Sequence, residues 1–210
     1  MNNEQDVLAT GERRRTFLEI ALRLFAKHGY HSTKISDIVA EAGVAQGTFY
    51  WHFKSKEAIA LEIVADGRAR LLEVIAQGYR REPGTVADMV QASEALLVRL
   101  FRFAADHRYF MELLLQGGAS TEPIRKALSE TRAALEHAFH QNIQRAVELG
   151  MLPSAIDTEM RAALLTGLIE GVISRWLPGV GLSNNGMVSK TAEQLAHETV
   201  QFEFFGLLGS

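Results

Sequence analysis

The sequence predicts an all-α protein of about nine helices, and three observations carry that prediction. Apolar residues recur at spacings of three and four along the whole chain, the period of a helix with one buried face. No segment alternates apolar and polar residues as a half-buried strand does. The four prolines (Pro83, Pro123, Pro153 and Pro178) all fall where the apolar period breaks, at expected helix boundaries.

The elements follow in order. A first helix is expected over 12–28, with Phe17, Ala21, Leu24 and Phe25 on its buried stripe and Gly29 stopping it. A short second helix follows Thr33, buries Ile35, Ile38, Val39 and Ala42, and ends at Gly43. A third spans 46–53. Ser55 caps a fourth, whose apolar row is Ile59, Ile63, Gly67, Leu71, Val74 and Ile75 and which Pro83-Gly84 breaks. That gives a rod of about 26 residues, roughly 39 Å long. Helices are then expected over 86–107, over the short "YFMELLLQ", and over 121–149, with Pro123 in the first turn of the last and Gly150 beyond its end. The final pair covers 157–177 and 188–208. Neither repeats nor a flexible linker are visible, so the fourth helix itself would join residues 1–57 to residues 58–210.

At 210 residues the chain can bury a sizeable core. No run of 18 apolar residues exists to span a membrane, and the polar start lacks the apolar stretch of a secretory signal. Cysteine is absent, which excludes disulfide scaffolding, thiolate catalysis and cysteine zinc sites, and fits a cytoplasmic setting. Net charge is −3, yet the distribution is uneven: residues 12–57 hold eight Lys/Arg against five acids, whereas 58–210 hold 14 against 18. Local sign steers a phosphate backbone, so the N-terminal segment is the better candidate for nucleic acid.

Residues 39–53, "VAEAGVAQGTFYWHF", carry the chemistry. Two short helices joined by "EAGVAQG" have the form of a helix-turn-helix, with Gly43 supplying positive φ and Val44 plugging the angle between them. Such a unit lays its second helix in the DNA major groove, first residues at the base edges. Those are Gln46, Gly47 and Thr48: an amide that can pair with adenine, a gap for close approach, and a hydroxyl or methyl. The aromatics divide by spacing. Phe49 and Phe53 are four apart and face inward, while Tyr50, Trp51 and His52 offer O–H and N–H donors to phosphate oxygens, with Lys56 beside them.

Thr33…Ile38-Val39-Ala40-Glu41-Ala42-Gly43-Val44-Ala45-Gln46-Gly47-Thr48-Phe49-Tyr50-Trp51-His52-Phe53-Lys54-Ser55-Lys56-Glu57 resembles the signature of the tetracycline-repressor (TetR) family of bacterial regulators. The resemblance covers about 45 residues; beyond them only length, helicity and order agree. It implies phosphate contacts from Thr33, Tyr50, His52 and Lys56, base-proximal positions at Gln46, Gly47 and Thr48, and a small-molecule cavity in the larger domain. Trp51 occupies a slot the family varies.

Residues 84–150 are dense in bulky apolar groups, which form a core, a pocket lining, or both. Leu97, Phe101, Phe110, Met111, Leu114, Leu115, Leu135 and Phe139 are the candidate effector contacts, since Met and Phe suit an irregular apolar pocket. In the eighth helix Met160, Ala163, Leu164, Gly167, Leu168, Gly171 and Val172 form one stripe, and the small glycines would let another helix come close. The ninth is apolar nearly all round. Leu164, Gly167, Leu168, Gly171, Leu195, Phe202 and Phe205 are therefore the candidate interface of a two-fold homodimer.

Other features read more plainly. Arg13–Arg15 form a solvated helix start or a phosphate-touching arm, the first being preferred because cations oppose the dipole there. His137 and His140 lie one turn apart but lack a third strong ligand, so no metal is expected. "PGVGLSNNG" lacks the glycine spacing of a phosphate loop and reads as a connector. Arg99 and Arg102 read as a solvated face. No cofactor is implied, and no Ser-His-acid order or paired carboxylates point to an enzyme. The expected function is a repressor that binds palindromic double-stranded operator DNA as a homodimer and is released by a small apolar or amphipathic effector. The alternatives are a constitutive DNA-binding regulator, or a helical enzyme or carrier.

Overall fold

The computed structural model describes residues 2–116, 120–180 and 186–207, of which 2–10 only as backbone. Among them are nine helices and no strand: α1 (Asn2–His28), α2 (Ile35–Glu41), α3 (Gln46–His52), α4 (Lys56–Ala76), α5 (Val86–Asp106), α6 (Arg108–Gln116), α7 (Glu122–Glu148), α8 (Thr158–Trp176) and α9 (Ala192–Phe205).

The N-terminal unit is α1 to α3 set on the first turns of α4. Gly29 and Gly43 end α1 and α2 at φ of 82° and 66°, the left-handed region that a Cβ disfavours, so glycine is required at both turns. Val44 N–H then returns to Val39 O (3.1 Å), closing the turn between α2 and α3. The unit's core is aromatic: Phe17 meets Phe49 edge-on at 5.7 Å and Phe53 at 6.4 Å, and all three are buried.

In the larger unit α7 runs along α4, α8 along α7, and α9 along α5, with α6 wedged between α1, α4 and α8. Close approach at two glycines sets this packing. A Cβ on Gly67 would lie 2.1 Å from the Phe110 ring, and one on Gly78 would lie 2.5 Å from Leu96. The first contact seats α6 on α4; the second brings α5 against the end of α4.

Three boundaries differ from expectation. The first helix begins at Asn2, so Arg13–Arg15 lie about three turns inside it and are no helix start. α4 stops at Ala76, with Gln77 as its C-cap, because Gly78 turns the chain before Pro83 is reached; its 21 residues span about 31 Å. α9 begins at Ala192 behind the N-cap Thr191, whose hydroxyl accepts from Gln194 N–H while Gln194 caps in return, and Gly206 ends it. The expected end of that helix at 208 and most of the "PGVGLSNNG" connector lie outside the described residues. No helix among those described is long and apolar enough to cross a membrane.

Candidate nucleic-acid interface

The third helix has two unlike faces, and its interior one is locked. Phe49 is fully buried against Phe17 and Phe53, so α3 cannot roll. Its outer face is left bare: Gln46 and Gly47 are exposed, Thr48 is half-buried, Tyr50 is 51 % exposed and Trp51 90 %. Nothing lies within 4 Å of a Cβ built on Gly47, so the backbone there is open to close approach. An indole left almost wholly in water gains nothing from the fold that carries it.

The far end of α3 is clamped by a residue that sequence reasoning set aside. Arg14 Nη1 donates to the His52 carbonyl (2.7 Å), an acceptor that a helix end leaves without an intrahelical partner. Its guanidinium lies 4.4 Å over the Phe53 ring, and its Nε and Nη2 donate to the two carboxylate oxygens of Glu62 in α4. One arginine thus ties together α1, the end of α3 and α4. It is neither a solvated helix start nor a free phosphate arm. A sequence separation of 48 between Arg14 and Glu62 leaves no local signal of their pairing.

His52 is half-buried, its ring 5.6 Å from that of Phe17. Burial holds its pKa below the usual imidazole value, and Arg14 and Arg13 push it the same way.

Two residues expected at phosphates have carbonyl partners within the protein. Thr33 is buried, and its hydroxyl donates to Gly29 O (2.9 Å) and Leu24 O (3.2 Å) at the end of α1. Lys56 Nζ donates to Tyr30 O (2.7 Å), Thr33 O (2.7 Å) and His31 O (3.4 Å), and sits 4.3 Å over the Tyr30 ring. Three donors meet three carbonyls, so the ammonium staples the α1–α2 turn to α4. Burial lowers its pKa, while Asp37 raises it.

The candidate effector contacts come from α5, α6 and α7. Leu97, Phe101, Phe110, Met111, Leu114, Leu135 and Phe139 are buried together in one core, with Leu115 packed against its edge. The Phe110 ring occupies the space over Gly67. Two concavities lie elsewhere. One is an open groove of about 440 Å³ between α4 and α7, lined by Leu61, Ala65, Arg68, Leu72 and Ala127 among others; the second lies between α5 and α9.

At the expected dimer face, Met160 (56 % exposed), Leu164 (59 %), Phe202 (44 %) and Phe205 (38 %) stand in solvent, and Gly167 has open space above it. Leu195 is the exception: it is buried within its own protomer, where α9 lies on α5. Leu168 and Gly171 are half-buried, and Arg175 Nη1 donates to Gly171 O (2.8 Å), partly covering that glycine. Elsewhere His140 Nε2 lies 3.0 Å from Thr158 Oγ1. Arg102 pairs with Glu193 at 2.7 Å, whereas Arg99, expected on the same solvated face, buries its Nε without a partner.

A buried aromatic floor, a bare reading helix and a larger helical bundle define a helix-turn-helix regulator. Residues 17–63 match the family model described as bacterial regulatory proteins, tetR family, and this segment belongs to that family of transcriptional regulators. It is 26 % identical over 172 residues to the HTH-type transcriptional regulator AcrR of Shigella flexneri, covering 79 % of each chain. In fold it resembles the transcriptional regulator FadR of Bacillus subtilis in complex with stearoyl-CoA (TM-score 0.73, 18 % identity, 92 % of this chain and 98 % of that one). It also resembles SmeT in its triclosan complex (TM-score 0.72, 23 % identity, 90 % of both chains).

Proposed function

We propose that this chain is a repressor that grips double-stranded operator DNA through α3, as a homodimer joined through α8 and α9. The observation that carries the reading is the division of α3 into a locked inner face and a bare outer one. Gln46, Gly47 and Thr48 take the base edges, while Tyr50, Trp51 and His52 take the sugar-phosphate backbone. Residues 1–57 serve as the DNA-reading domain, and 58–210 as the effector and dimerisation domain.

The exposed Met160, Leu164, Phe202 and Phe205 support the dimer, since large apolar side chains left in water on two helices mark an association surface. A two-fold dimer would present two reading helices to a palindromic site. Release by an apolar or amphipathic effector is supported by the stearoyl-CoA and triclosan complexes of the two structural neighbours. The burial of Leu97, Phe101, Phe110 and Leu114 in one core favours a second reading, a constitutive regulator without effector.

A mobility-shift assay on a duplex selected from a random pool tests DNA binding, and sedimentation tests the dimer. Gly167→Leu meets nothing in its own protomer, so it should leave the fold intact, block association and abolish the shift. A dimeric Gly167→Leu variant would place the interface elsewhere. Loss of the shift with stearoyl-CoA or triclosan would separate the effector reading from the constitutive one.

A further inference from the structure

Among the described residues, the Ser, Thr and Asp N-caps behave alike with one exception. Ser55, Thr85, Asp157 and Thr191 each accept the backbone N–H three residues on, the usual capping bond. Thr121 occupies the same position at the start of α7, with the extended backbone of an N-cap, yet its side chain makes no cap bond. Its hydroxyl donates instead to Glu57 Oε2 at 2.7 Å, across 64 residues of sequence.

That acceptor stands at a particular place. Glu57 is in the first turn of α4, next to Lys56, whose ammonium holds the carbonyls of the α1–α2 turn. The bond therefore runs from the larger bundle to the base of the DNA-reading unit. The corner it comes from is embedded in the protein: Ser120 is buried, and Arg125 Nη1 donates to its carbonyl at 2.6 Å. The preceding helix reaches the same unit, with Lys27 of α1 5.9 Å over the Tyr109 ring of α6.

We infer that Thr121 is a positioning residue for DNA binding, whose hydroxyl ties α7 to Glu57 and so fixes the orientation in which the reading unit is carried. The inference rests on the DNA-binding reading of α3. A charge-assisted bond between elements so far apart in sequence restricts their relative rotation more than a cap would, and a cap bond would stabilise only α7 itself. Two reading helices can engage two half-sites only at a set separation. Freedom at the base of each unit therefore weakens binding without removing any contact to DNA.

Thr121→Val tests this cleanly, because it keeps the β-branched shape and loses no capping bond. With a duplex selected by the parent protein from a random pool, Thr121→Val and Glu57→Gln should each raise Kd by a similar factor, roughly two- to thirtyfold. The double variant should be no worse than either single one, and Thr121→Ser should restore parental affinity. In the DNA-free protein, hydrogen exchange should quicken in the first turn of α4 as well as around Thr121. Unchanged affinity or unchanged exchange at α4 in Thr121→Val would overturn the inference, as would factors that multiply in the double variant. A parent protein that selects no DNA at all would overturn the DNA-binding reading, and this inference with it.

Discussion

Replacing Lys56 by Met separates two roles for the same ammonium. As a phosphate contact it would contribute to the salt dependence of DNA binding, each neutralised phosphate adding about 0.9 to the log–log slope. As a staple it contributes to the fold instead. Met keeps most of the apolar stem and removes the charge together with bonds of 2.7, 2.7 and 3.4 Å. A hydrogen bond to a charged group contributes about 1.5–3 kcal/mol when well shielded. Lys56 is only half-buried, so screening reduces that range, and the longest bond contributes little. The cation over the Tyr30 ring adds about 0.5 kcal/mol. A net loss of about 2 kcal/mol follows, which in a chain of this size lowers Tm by about 4–8 °C. Circular dichroism melts and operator binding over a range of salt measure the two quantities side by side. The expected result is a lowered Tm with an unchanged slope. A parental Tm with a slope reduced by about 0.9 would refute the staple and restore the phosphate contact.

Two further outcomes follow from the packing and the titration of named groups. Gly67→Ala places a Cβ 2.1 Å from the rigid Phe110 ring, an overpacking that should cost about 1–3 kcal/mol; Phe110→Leu should recover much of the loss, and no recovery in a urea titration of the double variant would show the clash to be wrongly located. Because His52 is held below its ordinary pKa of 6.5, the unfolded chain takes up that proton first, so stability is full above pH 6.5 and declines as pH falls through it. His52→Gln should lose less stability than the parent between pH 7.5 and 5.5, and equal losses in urea midpoint would contradict the assignment.

The helix order was legible because its punctuation is local. Gly29, Gly43 and Gly150 stop their helices at positive φ, as their positions after an apolar stripe imply. Where two stop signals compete, the sequence misleads. Pro83 looks decisive for α4, but Gly78 acts first, and what makes a glycine necessary there is Leu96, a residue of another helix. The reading helix was legible for a similar reason: the separation of Phe49 and Phe53 from Tyr50 and Trp51 is a matter of helical spacing alone. The protein partners of Thr33 and Lys56 were not. A motif names a residue without saying which way it points, and both side chains turn toward carbonyls that other segments deliver. Leu195 and Phe202 illustrate the same limit, since a helix apolar on most sides does not reveal which side meets its own core.

The dense packing of the larger unit bears on what kind of effector it would accept. A drug-sized ligand needs a cavity of about 300 Å³ or more. Opening that volume empty among Leu97, Phe101, Phe110 and Leu114 would cost about 24 cal/mol per Å³, or about 7 kcal/mol. The open state would then be populated at about one part in 10⁵, and apparent affinity would be reduced by that fraction. Offsetting 7 kcal/mol takes about 280 Å² of apolar ligand surface buried at 25 cal/mol per Å². A small polar metabolite has too little such surface, whereas a long acyl chain or a multi-ring compound has enough. Phe110 is a side chain whose displacement would matter, because its ring packs directly on the backbone of α4 at Gly67. Its neighbour Tyr109 faces Lys27 of α1, so a ligand that takes the place of the Phe110 ring also disturbs the contact between α6 and the DNA-reading unit. Only a ligand bound better by the opened state than by the closed one shifts the balance. An effector that entered this core would therefore be apolar, larger than a single aromatic ring, and opposed by operator DNA to the same degree that it opposed DNA.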